Sequence, residues 1–236
     1  MQLVKNYLLY IICFMMPAIV GRILYLSFYS THFDISFDPI LSTKACNQIK
    51  YYLENHSDWH IKPIEVLESF SLLKKIIIKR STLAKATIFI ISYEPIANIN
   101  NNYVLLHNGF IVDSDFFEVF SKEQLYHISM GQVDTKKPEI ALVQWINNCQ
   151  DIFVEYKIRW IDQTKIILFH KSNNQINLLV QANKSISISF CENIQQLITK
   201  KINNIAKSAQ IIADLRFDDQ VIIYSKRGNN EAQYIS

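Results

Sequence analysis

Residues 71–95, SLLKKIIIKRSTLAKATIFIISYEP, are the stretch that decides the fold, because they predict two strands. Residues 73–79 and 86–93 are both rich in β-branched side chains, and a short break at 81–85 separates them. Branched side chains favour strands because they pack well on a pleated surface. The short break is typical of a hairpin connection, so this stretch predicts two paired strands.

Three further elements are expected before this hairpin. Residues 32–37 alternate between apolar and polar and indicate a first strand, while Ser42 is a suitable N-cap for a helix that reaches Asn55. Pro63 favours the start of a second, shorter helix. The order is then β-α-α-β-β, a compact unit over residues 32–97. The apolar face of the second helix is expected to consist of Ile64, Leu67 and Phe70.

The chain after Pro95 is expected to be rich in strands. Asn108 and Gly109 give a strong turn signal, and Pro138 indicates a helix that extends to Asn148. Together with the first unit, this pattern predicts an α+β protein whose second part is an antiparallel sheet with flanking helices. Strands are expected at residues 103–106, 110–112, 153–160, 165–170, 175–181, 185–190, 209–216 and 220–224, and a further helix at 192–203.

Residues 7–29 form a long apolar run whose single charged residue is Arg22. A helix of about 20 apolar residues spans a bilayer core, and aromatic residues at both ends of the run are typical of the two membrane interfaces. The run predicts a retained transmembrane helix, and a cleaved signal peptide is the alternative. Lys5 favours a cytoplasmic tail at residues 1–6 and an exported body.

Composition and motifs argue against several classes of function. The net charge is only +3 with both signs interspersed, which does not suit a nucleic-acid binder. The four glycines are too scattered for a phosphate-binding loop, and no hydrolase or zinc-protease motif is present. We therefore expect no catalytic site, cofactor, metal or small-molecule substrate. The body cysteines Cys46, Cys149 and Cys191 cannot all pair, and small buried side chains are the simpler interpretation.

Several motifs along the chain follow the order of one known family. The stretch Tyr93-Glu94-Pro95-Ile96-Ala97 stands at the position of an acidic E-x-x-P-[IV]-A signature that follows a basic-apolar strand, although Glu94 here directly precedes Pro95, and a short strand and Asn108-Gly109-Phe110 come next. Residues 176–202 match a late hairpin and helix, and residues 212–217, IADLRF, match a terminal hVDLRY strand. In these motifs the sequence resembles the FtsQ/DivIB family of bacterial cell-division proteins over most of its length.

The resemblance implies a domain organisation and a function. Residues 32–97 are expected to be a polypeptide-transport-associated (POTRA) domain, residues 98–228 the β-domain of the family, and residues 229–236 a flexible polar tail. Members of the family are non-catalytic scaffolds of the divisome in the inner membrane. They bind the small coiled-coil proteins FtsB and FtsL and help to control septal peptidoglycan synthesis. A protein-export or outer-membrane assembly factor with a POTRA domain is the alternative, and a secreted enzyme or adhesin a further one.

Strand addition is the expected mode of partner binding, because an exposed strand edge offers unpaired N–H and C=O groups. The strand at residues 220–224 is the candidate, since no later strand is expected to cover it. In the family this edge is the FtsB site. The partner-binding residues carried over are Arg216, Phe217, Asp219, Gln220, Val221 and Ile223. The opposing interpretation is that Val221 and Ile223 simply pack in the core, and the strand at 86–93 is a second candidate edge.

Overall fold

A computed structural model describes residues 15–23, 32–56, 63–81, 85–118, 125–172, 175–201, 210–217, 220–227 and 231–235. In chain order the elements are α1 (residues 15–23), β1 (His32–Phe37), α2 (Thr43–Asn55), α3 (Pro63–Ser69), β2 (Leu73–Arg80), β3 (Lys85–Ser92), β4 (Pro95–Ile99), β5 (Tyr103–Leu106), β6 (Ile111–Asp113), a 3-10 turn (Ser114–Phe116), β7 (Tyr126–Met130), α4 (Ile140–Asn148), α5 (Ile152–Glu155), β8 (Tyr156–Asp162), β9 (Lys165–His170), β10 (Ile176–Val180), α6 (Ile188–Lys201), β11 (Gln210–Asp214), β12 (Ile222–Arg227) and β13 (Glu231–Ile235). The predicted α+β class is confirmed.

The chain divides into two compact units, of which the first contains β1, α3, β2 and β3. Its sheet has the order β1-β3-β2, with β1 parallel and β2 antiparallel to the central β3. The hairpin predicted from residues 71–95 is therefore confirmed. The predicted face of α3 is wrong at Ile64, which is 67% exposed, whereas Val66 is buried. The seven-residue helix packs against β2, and this contact brings Val66 inward.

The second unit contains α2 and every element from β4 onward. Ser42 caps α2 as predicted, since its hydroxyl accepts a hydrogen bond from the Ala45 N–H. The sheet has ten strands in the order β13-β12-β11-β10-β9-β8-β7-β4-β5-β6. It is mixed, so the prediction of an antiparallel sheet is wrong: β4–β7, β7–β8 and β10–β11 are parallel pairs. Parallel neighbours need a crossover connection, which α4 with α5 provides between β7 and β8 and α6 provides between β10 and β11.

Between Pro95 and Lys201 the predicted elements fail at four places. Strands β4 and β7 have no counterpart in the prediction, residues 152–155 are the helix α5 where a strand was expected, and α6 begins at Ile188 inside another expected strand. Ser187 caps α6, because its hydroxyl accepts a hydrogen bond from the Phe190 N–H at 3.3 Å, and the Asp151 carboxylate accepts another from the Ile188 N–H at 2.9 Å. Ser187 is a local signal that the expected strand at residues 185–190 left out, whereas Asp151 lies 37 positions away and leaves none.

The core of the second unit lies on one face of its sheet. Buried side chains of α4, α5 and α6 pack there against alternate residues of the strands, among them Trp145, Trp160, Leu178, Cys191 and Ile223. Alternation along a strand places every second side chain on the same face. The helices therefore cover this face and hold the strands in register.

The turn predicted at Asn108 and Gly109 is confirmed between β5 and β6. Gly109 has φ of +86°, a region that favours glycine, and its N–H donates to the Leu106 carbonyl at 2.8 Å. Its own carbonyl accepts from the Glu139 N–H at 2.7 Å. The turn thus fixes the residue that precedes α4.

The N-terminal prediction falls largely outside the described residues. Of the expected span at 7–29, only residues 15–23 are described, and they are helical. Within the described part of the chain, no helix combines the length and the apolar character needed to cross a membrane. The transmembrane helix stays a prediction.

Candidate partner-binding site

The predicted site lies at one end of the ten-stranded sheet, where β11 and β12 form a pair. The helix α6 carries the chain from β10 to β11, which is parallel to β10 with Leu178 opposite Ala213. The strand β12 then runs antiparallel to β11, with Ala213 opposite Ile223. The connection between β11 and β12 contains most of the predicted binding residues.

Arg216 makes a two-pronged ion pair with Asp214 at the end of β11. Its Nε donates to Oδ1 at 2.9 Å and its Nη2 donates to Oδ2 at 2.7 Å. The Asp214 side chain is only 6% exposed and that of Arg216 is 33% exposed. The hydrogen bond to Asp214 raises the pKa of Arg216 above its ordinary value, and partial burial opposes this rise. Any partner carboxylate that binds Arg216 must therefore share its guanidinium with Asp214.

Backbone bonds fix the residues that follow β11. The Leu215 N–H donates to the Leu179 carbonyl at 2.8 Å, and the Arg216 N–H donates to the Asp214 carboxylate at 3.1 Å. The side chains of Lys184 and Gln181 reach the carbonyls of Leu215 and Arg216, each at 3.4 Å. This support holds the segment that leads to Phe217, a residue that is 44% exposed.

The remaining predicted residues divide between surface and core. Gln220 is exposed, whereas Val221 is partly buried against the core and Ile223 is buried within it. Ile223 faces the helices, as the opposing interpretation expected. Asp219 lies outside the described residues. Phe217 and Gln220 are therefore the described side chains of the predicted set that present open surface, with Arg216 beside them.

The edge of β12 is covered. The strand β13 runs antiparallel to β12 and pairs residues 231–235 with residues 223–227. The expectation that no later strand covers this edge is wrong, and residues 231–235 of the expected flexible tail form this strand. The polar composition of these residues did not predict a strand. Extended backbone nevertheless pairs through its own N–H and C=O groups, whatever side chains it carries.

The sheet presents a second face on the side away from the helices, and the sequence analysis missed it. Asn177 lies on this face at 3% exposure, and its Oδ1 has no hydrogen-bond partner among the described residues. The sequence signal for this face was the two-residue spacing of Asp214 and Arg216, since alternate residues of an extended chain point to the same face. Register places eight residues on the second face, in two rows: Phe169, Asn177, Ile212 and Tyr224, then Ile167, Leu179, Asp214 and Ile222.

A cleft of about 710 Å³ opens in the same unit where β7 and β8 diverge. Tyr126 and Phe153 stack on its wall with ring centroids 4.3 Å apart. The Lys171 ammonium also lines it, but donates to the carbonyls of Phe153 and Val154 at 2.9 and 2.7 Å. Among the described residues, no group of three acidic, histidine or cysteine side chains is placed to hold a metal ion.

Comparison with models of known protein families gives no match, and comparison with curated protein sequences gives none either. The likeness to the FtsQ/DivIB family stays a prediction from the motifs.

Proposed function

We propose that this chain is a non-catalytic divisome scaffold of the FtsQ/DivIB type. Residues 32–97 form a POTRA domain and residues 98–228 form the β-domain of the family. The run at residues 7–29 anchors the chain in the inner membrane, and the body lies in the periplasm. The partners are small coiled-coil membrane proteins like FtsB and FtsL, bound by strand addition at the β12 end of the sheet, and the complex helps to control septal peptidoglycan synthesis.

The order of elements supports this proposal. Residues 32–92 run β1, α2, α3, β2, β3, which is the β-α-α-β-β order that the resemblance implies. The IADLRF motif at residues 212–217 falls at the end of β11 and leads into the β12 pair. A motif that ends one strand and positions the next suits a site formed by strand pairing.

The single observation that carries the proposal is Phe217, held half-exposed after the Asp214–Arg216 pair. An aromatic side chain on a rigid support loses little conformational entropy on binding, and aromatic and arginine residues dominate the binding energy of protein interfaces. Asp214 restrains the guanidinium of Arg216. The side chains of Phe217 and Arg216 therefore form a preorganised anchor beside the edge of β12.

Co-purification of two matched variants tests the proposal. Phe217→Ala removes the anchor, and Phe190→Ala is the control, because Phe190 on α6 is 45% exposed against 44% for Phe217. The full chain is extracted from membranes of the source cells, and its partners are identified by mass spectrometry. We expect small single-pass coiled-coil proteins with the wild type and Phe190→Ala, and a loss of roughly thirtyfold in affinity with Phe217→Ala, about 2 kcal/mol.

Equal recovery of these partners with both variants would remove Phe217 from the site. Recovery of outer-membrane assembly proteins instead would favour the export alternative. Recovery of no membrane partner with the wild type would contradict the scaffold function.

A further inference from the structure

We propose that β13 is a built-in competitor for the partner-binding edge, which a partner strand must displace before it can bind. This inference rests on the proposed function, because it describes how the same edge is regulated. Its observation is the backbone pairing of residues 231–235 with residues 223–227.

Both sides of β12 are occupied in the structure. On one side β11 pairs residues 210–214 with residues 222–226. On the other side β13 pairs with residues 223–227. A strand has only two edges for ladder hydrogen bonds, so a partner strand reaches β12 only when β13 leaves.

The strand β13 has features of a strand that can separate from β12. It is five residues long and β12 is its only strand neighbour in the described part of the sheet. Its sequence, EAQYI, includes Glu, Ala and Gln, whereas β12 begins Ile-Ile-Tyr. Glu and Ala are depleted in strands, and β-branched and aromatic residues are enriched. An element with so few packed neighbours opens at a small fraction of the global stability.

Cover by β13 has two consequences for the edge. It shields a β-branched strand from edge-to-edge pairing with other chains, which is a recurrent aggregation risk of open edges. It also weakens partner binding, since the apparent affinity falls in proportion to the fraction of molecules with an open edge. A tethered strand competes at an effective concentration of about millimolar, so only a strand with better pairing displaces it.

Two proline variants of the full chain test the cover. Successive N–H groups of a strand point to opposite sides, so one of Ala232→Pro and Gln233→Pro removes a bond to β12 and the other faces outward. Hydrogen exchange of the β12 amides identifies the opened variant by its loss of protection. The outward variant is then the matched control. The probe is a fluorescent peptide of residues 229–236, NNEAQYIS.

We expect the opened variant to bind this peptide at least about tenfold more tightly than the wild type, because its edge is free for a larger fraction of the time. The outward variant is expected to bind like the wild type. Equal binding by all three proteins, absence of binding by all three, or unchanged exchange of β12 in both variants would overturn the proposal.

A reversible tether provides the second arm. Tyr224 and Tyr234 are register partners, and directly opposite strand residues lie at Cα distances that a disulfide accepts. In the double variant Tyr224→Cys, Tyr234→Cys, oxidation is expected to abolish peptide binding and reduction to restore it. Tyr224→Cys alone is the control. Binding that persists in the oxidised form would show that the peptide adds elsewhere, and would overturn displacement.

The two proposals fail differently. If the opened variant binds the peptide and the locked form does not, but neither retains coiled-coil proteins from membranes, the competitor stands and the divisome function fails. If such proteins are retained equally by the opened and locked forms, the divisome function stands and the competitor fails.

Discussion

Arg216 holds the carboxylate of Asp214, two residues earlier in the chain, through hydrogen bonds from Nε and Nη2 of 2.9 and 2.7 Å. The pair ends β11 on the second face of the sheet. Because Asp214 is almost fully buried, the guanidinium of Arg216 is an important partner for its carboxylate. Among the described residues, loss of that guanidinium leaves the buried carboxylate with the hydrogen bond from the Arg216 N–H.

Arg216→Ala is therefore expected to lower the free energy of unfolding by about 1–3 kcal/mol, since a buried charged acceptor loses its partner. Arg216→Lys is expected to recover only part of this, because an ammonium cannot make the two-pronged contact. Urea unfolding measures both. The control is Lys50→Ala, whose ion pair with Glu54 is exposed at 3.9 Å and contributes little. Equal effects at the two sites would contradict the structural role of the pair.

Gly109→Ala is expected to destabilise the second unit. A Cβ at this position lies 2.7 Å from Ile140 Cδ1 and 3.2 Å from two backbone nitrogens of the α4 start, at φ of +86°. The cost is of order 1–3 kcal/mol. Gly131→Ala is the control, because nothing lies within 4 Å of its added Cβ. Thermal unfolding compares the two, and an unshifted midpoint for Gly109→Ala is the contrary result.

Asn177→Leu is expected to leave stability unchanged or to raise it by about 1 kcal/mol. The Asn177 side chain is buried on the second face, and its oxygen has no hydrogen-bond partner in the described part of the chain. Replacing an unsatisfied buried polar group with an apolar one removes its desolvation cost. Asn193→Leu, at an exposed position of α6, controls for added apolar area. A marked loss of stability in urea would show that the Asn177 amide is satisfied.

Stability is expected to fall in alkaline solution. Burial raises the pKa of the Cys191 thiol from 9.0 to about 12 and also raises the pKa of Cys149. Between these pH values the unfolded thiol ionises while the folded one stays protonated, so the unfolded state binds fewer protons and stability declines as pH rises. Urea unfolding between pH 8 and 10.5 measures the slope. Cys191→Ala is expected to give a shallower slope, and an unchanged slope would contradict the shift.

Local patterns in the sequence were sufficient where an element depends on its own residues. The β2–β3 hairpin follows from two β-branched runs, α2 follows from the Ser42 cap, and the β5–β6 turn follows from Asn108 and Gly109. In each case the side chains that decide the structure lie within or next to the element. These elements were predicted correctly to within about two residues.

The elements that the sequence did not predict form contacts with residues far away in the chain. The Ile188 N–H at the start of α6 binds Asp151, 37 positions earlier, and β13 forms by pairing its polar residues with the edge of β12. The second face likewise became visible only when register placed Asn177 and Asp214 on the same side of the sheet. Of the candidate site, Phe217 was identified from its motif, but its support by Asp214 and the cover of β12 required the pairing of strands.

Site-specific photocrosslinking tests the central claim most directly. A benzoylphenylalanine replaces Phe217 in the full chain in living cells, and the same residue at Phe190 is the control. The account predicts that position 217 crosslinks to a small single-pass coiled-coil protein and that position 190 does not. No crosslink at 217, or the same product from both positions, would contradict partner binding at the end of β11.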